Sequence, residues 1–173
     1  MREYAATSET VGATVGTISI AREHNRPSGA AFGSLVHAVL ARAPFDATRA
    51  TLDDIAAVEA RLLAMDDDDA AAATAVVERA LEHELLVRAR QADARGACRR
   101  ETAVTLTLDD GTLVEGIVDL AFEEDGKWVV VDYKTDREIV AVGEDGYRRQ
   151  IALYASAIAR ATGKPATGVL VRI

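Results

Sequence analysis

Between Arg100 and Lys134 the chain alternates apolar and polar residues, and two Asp-Gly turns punctuate the alternation. Period-two alternation bounded by such turns specifies antiparallel hairpins, because both turn residues tolerate the left-handed backbone that a tight hairpin needs. Strands are predicted over Arg100–Leu108, Thr112–Phe122 and Lys127–Lys134, joined at Asp109-Asp110-Gly111 and Asp125-Gly126. A helix is predicted over Glu144–Thr162, stopped by Gly163-Lys164-Pro165, and a last strand over Val169–Ile173. The order β-β-β-α-β predicts an α+β fold, with a mixed central sheet flanked by helices.

The upstream half is alanine-rich and reads as helices. Pro27-Ser28-Gly29 breaks the chain, and a helix follows over Ala30–Ala43 until Pro44 stops it. Thr51-Leu52-Asp53-Asp54 offers a cap for a helix to about Met65. The acids Asp66–Asp69 open a long helix that Gly96 ends near Arg95. A calcium loop is excluded there, since alternating ligands and a turn glycine are missing. Thr14–Ala21 reads as a short strand or an extended arm. His24 and His83 read as surface residues.

The turns also predict register. A two-residue turn at Asp125-Gly126 puts Asp119 opposite Asp132. A three-residue loop with Gly111 left-handed puts Val104 and Leu106 opposite Gly116 and Val114, and Glu101 opposite Asp119. A one-residue slip would mix the faces. One face then carries Val104, Leu106, Val114, Val118, Leu120, Phe122, Val129 and Val131. The other carries Glu101, Asp119, Asp132 and Lys134 among Ile117, Ala121, Trp128 and Val130. The plain alternative is a solvated polar face with a salt bridge to Lys134. The apolar neighbours argue for a covered face instead. Carboxylates that converge under cover repel one another unless a cation joins them. Oxygen ligands suit magnesium or manganese. A lysine two residues from such an aspartate points the same way, where it can orient a water and stabilise developing negative charge.

Composition narrows the partners. Net charge is -8, with 28 acids against 20 bases, so a uniformly basic nucleic-acid coat is excluded. Seven of the acids lie in the Asp66–Asp69 run and at Glu101, Asp119 and Asp132, and the remaining charges nearly balance. Arg88, Arg90, Arg95, Arg99 and Arg100 form a local basic stretch, a candidate for phosphate contact. The single cysteine, Cys98, excludes an internal disulfide and a four-cysteine iron–sulfur cluster. A reducing cytoplasm is the expected compartment. No uncharged stretch is long enough for a membrane span.

The segments Gly116-Ile117-Val118-Asp119-Leu120 and Val131-Asp132-Tyr133-Lys134-Thr135-Asp136 resemble the core of PD-(D/E)XK nucleases. Phe32-Gly33-Ser34-Leu35-Val36-His37 and Gln150-Ile151-Ala152-Leu153-Tyr154 resemble two further motifs of the RecB-like nuclease family within that superfamily. That family supplies the nuclease domain of bacterial helicase–nucleases that process double-strand breaks. The resemblance runs from about Gly29 to Ile173. It implies a restriction-endonuclease-like core, with 29–97 the helical part and 98–173 the catalytic core of one nuclease domain, after a linker or arm over 1–28. It implies Asp119, Asp132 and Lys134 as catalytic residues. Metal ligands would be His37, Asp119, Asp132 and the Tyr133 carbonyl, with Glu101 contributing through a bound water or from behind the ligands. Gln150 and Tyr154 would help hold the DNA or the lysine, and Arg148 and Arg149 are candidate phosphate contacts.

The residues of the outer motifs agree with this on their own terms. Phe32, Leu35, Val36, Val39 and Leu40 form one apolar arc, and His37 lies off its edge beside Gly33. Gln150 and Tyr154 share a helix face with Tyr147, Ile151, Ala155 and Ile158. The implied activity is Mg2+- or Mn2+-dependent cleavage of DNA, exonucleolytic on a strand delivered by a helicase motor in the same polypeptide or complex. A nuclease-like domain that is catalytically silent and serves DNA binding or docking is the other class considered. Such a domain usually loses the Asp…Asp-x-Lys residues, and here they are intact. No Walker A sequence is present. The chain therefore reads as a nuclease domain of a larger helicase–nuclease or as a small stand-alone relative.

Overall fold

The computed structural model describes residues 13–20, 27–135, 139 and 143–173. His24 and Asp136 lie outside them. Five strands form one sheet: β1 (Val15–Ser19), β2 (Cys98–Thr107), β3 (Leu113–Glu124), β4 (Lys127–Lys134) and β5 (Ala166–Arg172). Their spatial order is β1-β5-β4-β3-β2. The β2-β3-β4 meander is antiparallel, while β5 runs parallel to β4 and β1 parallel to β5. The sheet is therefore mixed, and within the expected Thr14–Ala21 segment Val15–Ser19 is an edge strand.

Both turns are built as the residues dictate. Asp125 and Gly126 have φ of 49° and 75°, the two positive values of a type I′ turn, and Gly111 has φ of 84°. Register follows: Leu120 pairs with Val131, Val104 with Gly116, and Leu106 with Val114.

Helices cover the sheet on both faces. On one lie α1 (Ala30–Arg42), α2 (Arg49–Leu62), α3 (Asp67–Glu82) and α4 (Glu84–Asp93). Phe32, Leu35, Val36 and Val39 of α1 share a core with Leu120, Phe122, Val131 and Tyr133. The other face is covered by α5 (Glu144–Thr162), whose Tyr154, Ala155 and Ile158 pack on Val118, Ala121 and Val130.

Three expectations change. The long helix after the acid run is two helices. His83 is extended, with φ of -68° and ψ of 140°, and its Nδ1 accepts from the Leu85 N–H at 3.2 Å. The break lets Leu85 and Leu86 enter the core, so His83 is a cap and not merely a surface residue. The cap of α2 is Thr48, whose hydroxyl accepts from the Thr51 N–H. The third change concerns the sheet faces. Val114 and Val118 pack towards α5, whereas Leu120 and Phe122 pack towards the four-helix layer. The expected single core face is split, because β3 changes phase at Asp119. Ile117, expected under cover, is 57% exposed.

Candidate active site

The phase change has a local cause. In the β2–β3 ladder the pairs Arg100–Leu120 and Thr102–Val118 flank Asp119 but Glu101–Asp119 is not formed, and the β3–β4 ladder ends at Leu120–Val131, one pair short of Asp119–Asp132. Glu101 is left-handed, with φ of 48°, a conformation uncommon for a side-chain-bearing residue. In place of a main-chain partner, the Asp119 Oδ2 accepts from the Tyr133 N–H at 2.7 Å. The expected opposition of Asp119 and Asp132 thus becomes proximity without pairing. The lapse frees the Asp119 carboxylate to face α1. There the His37 Nδ1 lies 3.7 Å from its Oδ1. The His37 ring also meets the Tyr133 ring edge-on at 6.0 Å. His37, Leu40, Arg100, Glu101, Asp119 and Tyr133 line one small cleft.

Asp132 and Lys134 sit on the next face, since both are even-numbered on β4. The Lys134 Nζ is 2.7 Å from the Asp132 Oδ2 and donates to the Tyr133 carbonyl at 3.0 Å. It also lies 5.2 Å from the centre of the Tyr147 ring, a cation–π contact from α5 that the sequence did not single out. Burial pushes the Asp132 carboxyl up, to about 6; the Lys134 ammonium opposes this, and Asp119 adds to it. Burial also raises the Glu101 carboxyl, helped by Asp119 and opposed by His37. Both acids sense Asp119, so the three form one electrostatic group.

Among the described residues, no three His, Cys, Asp or Glu side chains converge closely enough to enclose an ion by themselves. The Lys134 ammonium is the cation at Asp132 and donates to the Tyr133 carbonyl. The donor chemistry nevertheless fits a hard divalent ion. Asp119, Asp132 and the Tyr133 carbonyl offer oxygen, and His37 offers one imidazole nitrogen.

The outer motif residues divide. Gln150 Nε2 donates to the Tyr154 hydroxyl at 2.6 Å. Tyr154 is 5% exposed and lies over Gly116, where an added methyl would overlap its ring and hydroxyl. This pair therefore braces α5 against β3 beside Asp119. Arg148 donates to the Thr17 hydroxyl at 2.9 Å and to the Val15 carbonyl, and so ties α5 to β1. The side chain nevertheless stays partly exposed, at 38%. Arg149 is exposed on α5. The basic stretch is also largely committed. Arg88 pairs with Glu124, Arg95 and Arg99 donate to backbone carbonyls, and Arg100 donates to the Leu40 and Ala43 carbonyls.

Comparison with known proteins agrees with this geometry. The profile of the PD-(D/E)XK nuclease superfamily matches residues 14–173. An ATP-dependent helicase/nuclease subunit of Bacillus pumilus (strain SAFR-032) is 38% identical over 68 residues, 34% of this chain and 6% of that protein. Its namesake in Clostridioides difficile (strain 630) is 42% identical over 59 residues, 32% of this chain and 5% of that protein. The match thus spans only a small fraction of these relatives' length. With its profile match over nearly the whole chain, and His37, Asp119, Asp132 and Lys134 gathered at the end of a β-meander, the chain belongs to the PD-(D/E)XK nuclease superfamily.

Proposed function

We propose that the chain is a metal-dependent DNA nuclease domain. It would hydrolyse phosphodiesters, exonucleolytically, on a strand delivered by a helicase during double-strand-break repair. The observation that carries this reading is the interruption of the sheet at Asp119. It brings that carboxylate to His37 on one side and close enough to Asp132 to raise that carboxyl on the other. The names of the helicase/nuclease relatives support the DNA substrate and the motor partner.

In this reading Asp119, Asp132, the Tyr133 carbonyl and His37 would hold Mg2+ or Mn2+, and Glu101 would act through a bound water. A divalent ion held there supplies Lewis-acid charge to the scissile phosphate. Lys134 brings a positive charge on a flexible stem. Its ammonium hydrogen-bonds a non-bridging phosphate oxygen as negative charge develops there, and orients the attacking water. In the metal-free chain Asp132 holds that ammonium within reach of the site. Gln150 and Tyr154 hold α5, and with it the Tyr147 ring, at a fixed height over the lysine.

The test is cleavage of end-labelled single- and double-stranded DNA with Mg2+ or Mn2+, against a chelator control. Asp132→Ala and Lys134→Ala should each abolish cutting. Metal-dependent cutting that survives both substitutions would sink the assignment.

A further inference from the structure

Arg100 is the one member of the basic stretch that lines the cleft, and its contacts are unlike those of its neighbours. Its Nη1 donates to the Leu40 carbonyl at 3.1 Å and to the Ala43 carbonyl. Those are main-chain acceptors in the last turn of α1 and at its C-cap, which a helix leaves without intrahelical partners. The guanidinium also stacks on the Phe45 ring, 3.7 Å from its centre. The charge suits this place, since a helix C-terminus is the negative end of its dipole. Its fork and planar face suit it too, since an ammonium could not both bridge two carbonyls and stack flat on a ring.

The geometry of the chain makes this contact more than a cap. Arg100 is the residue before Glu101, whose left-handed backbone marks the lapse of the β2–β3 ladder at Asp119. Leu40 is three residues after His37, so the capped turn is the one that follows the imidazole. A single side chain thus spans from the strand that borders Asp119 to the helix that carries His37. Between these two anchors, no ladder pair fixes the His37–Asp119 separation of 3.7 Å. The other charged groups lining the cleft are Glu101 and Asp119, both acids, and neither can donate to the carbonyls that end α1.

We propose that Arg100 is a positioning residue for metal binding. By clamping the C-terminal turn of α1 to β2, it holds the His37 imidazole at the distance from Asp119 that an ion between them requires. The inference rests on the metal site proposed above. It extends that site to a residue that touches neither the ion nor the substrate.

The experiment titrates the full chain with Mn2+ by calorimetry and records the imidazole proton–nitrogen signals of His37 in the metal-free protein. Wild type is compared with Arg100→Ala, Arg100→Lys, Arg88→Ala and His37→Ala. Arg88→Ala removes an ion pair between α4 and β3 that does not line the cleft, and controls for general loss of stability. Arg100→Ala should weaken Mn2+ binding about tenfold, the scale typical of groups that orient a metal ligand, and should shift the His37 signals. Arg100→Lys should restore only part of the affinity, and Arg88→Ala should bind Mn2+ as wild type does. If Arg100→Ala does not fold, Arg100→Lys carries the same comparison. The proposal is overturned if either Arg100 variant loses thermal stability while Mn2+ affinity stays within about twofold and the His37 signals do not move. Failure of the underlying site looks different: wild type and His37→Ala would then bind Mn2+ equally or not at all, and both readings would fall together.

Discussion

At Asp132 two forces act against each other on one carboxyl. Burial raises its pKa to about 6, and Lys134 at 2.7 Å pulls it back. Removing the lysine leaves a buried acid without its nearest cation. Lys134→Ala should therefore destabilise the metal-free protein by about 1–3 kcal/mol, measured by urea unfolding at pH 7. The same substitution should lower the cleavage rate at least about 100-fold in single-turnover assays, the scale for losing one preorganised donor at a developing anion. Cys98 shows the effect of burial without such a partner. Its thiol is pushed up to about 11, first by burial and then by the nearby Asp93. Alkylation by iodoacetamide at pH 8 should be slow in the folded chain and fast once it is denatured, because the thiolate is the reactive form. Fast labelling of the native protein would contradict the buried position.

Two of the contacts between elements give tests. Arg88 of α4 grips Glu124 at the end of β3 and holds its carboxyl below the usual carboxylate range, chiefly through the side-chain hydrogen bond. A depressed acid contributes stability above its unfolded value, and that contribution is lost as pH falls through the folded value. The thermal midpoints of wild type and Glu124→Gln should thus differ at neutral pH and converge towards about pH 3. A gap that widens on acidification would contradict the pairing. Gly116→Ala should cost about 1–3 kcal/mol in chemical denaturation, since the new methyl overlaps Tyr154 and α5 must shift. Much at this scale was legible in the sequence. The two Asp-Gly turns dictated register, and the arc around Phe32 and Val39 placed His37 at a boundary. What stayed hidden was the phase change at Asp119. Alternation carries no mark of a lapse that depends on a carboxylate replacing a main-chain acceptor at Tyr133. The break at His83 was hidden for a related reason: helical periodicity continues across it, and only packing of Leu85 and Leu86 favours the kink. Arg148 and Arg100 looked like surface charge because their carbonyl partners are remote in sequence.

Over the whole molecule, the net charge of -8 takes on a definite meaning. Much of the acidity sits at the start of α3 and at the candidate site, and most of the basic stretch is spent on internal ties. An excess of acid over base disfavours a tight electrostatic grip on a DNA backbone. The chain by itself should bind single-stranded DNA no tighter than about micromolar in physiological salt, and more weakly as salt rises, by fluorescence anisotropy. Tight, salt-insensitive binding would contradict this. No helix among the described residues is long and apolar enough to cross a membrane. By this reading the lapse in the sheet at Asp119 assembles a metal site. Anomalous scattering from Mn2+-soaked crystals tests it most directly. One strong peak is expected, bounded by His37, Asp119, Asp132 and the Tyr133 carbonyl, with the Lys134 ammonium moved off Asp132. Fully occupied Mn2+ elsewhere on the chain, with Lys134 still seated on Asp132 and the Tyr133 carbonyl, would contradict it.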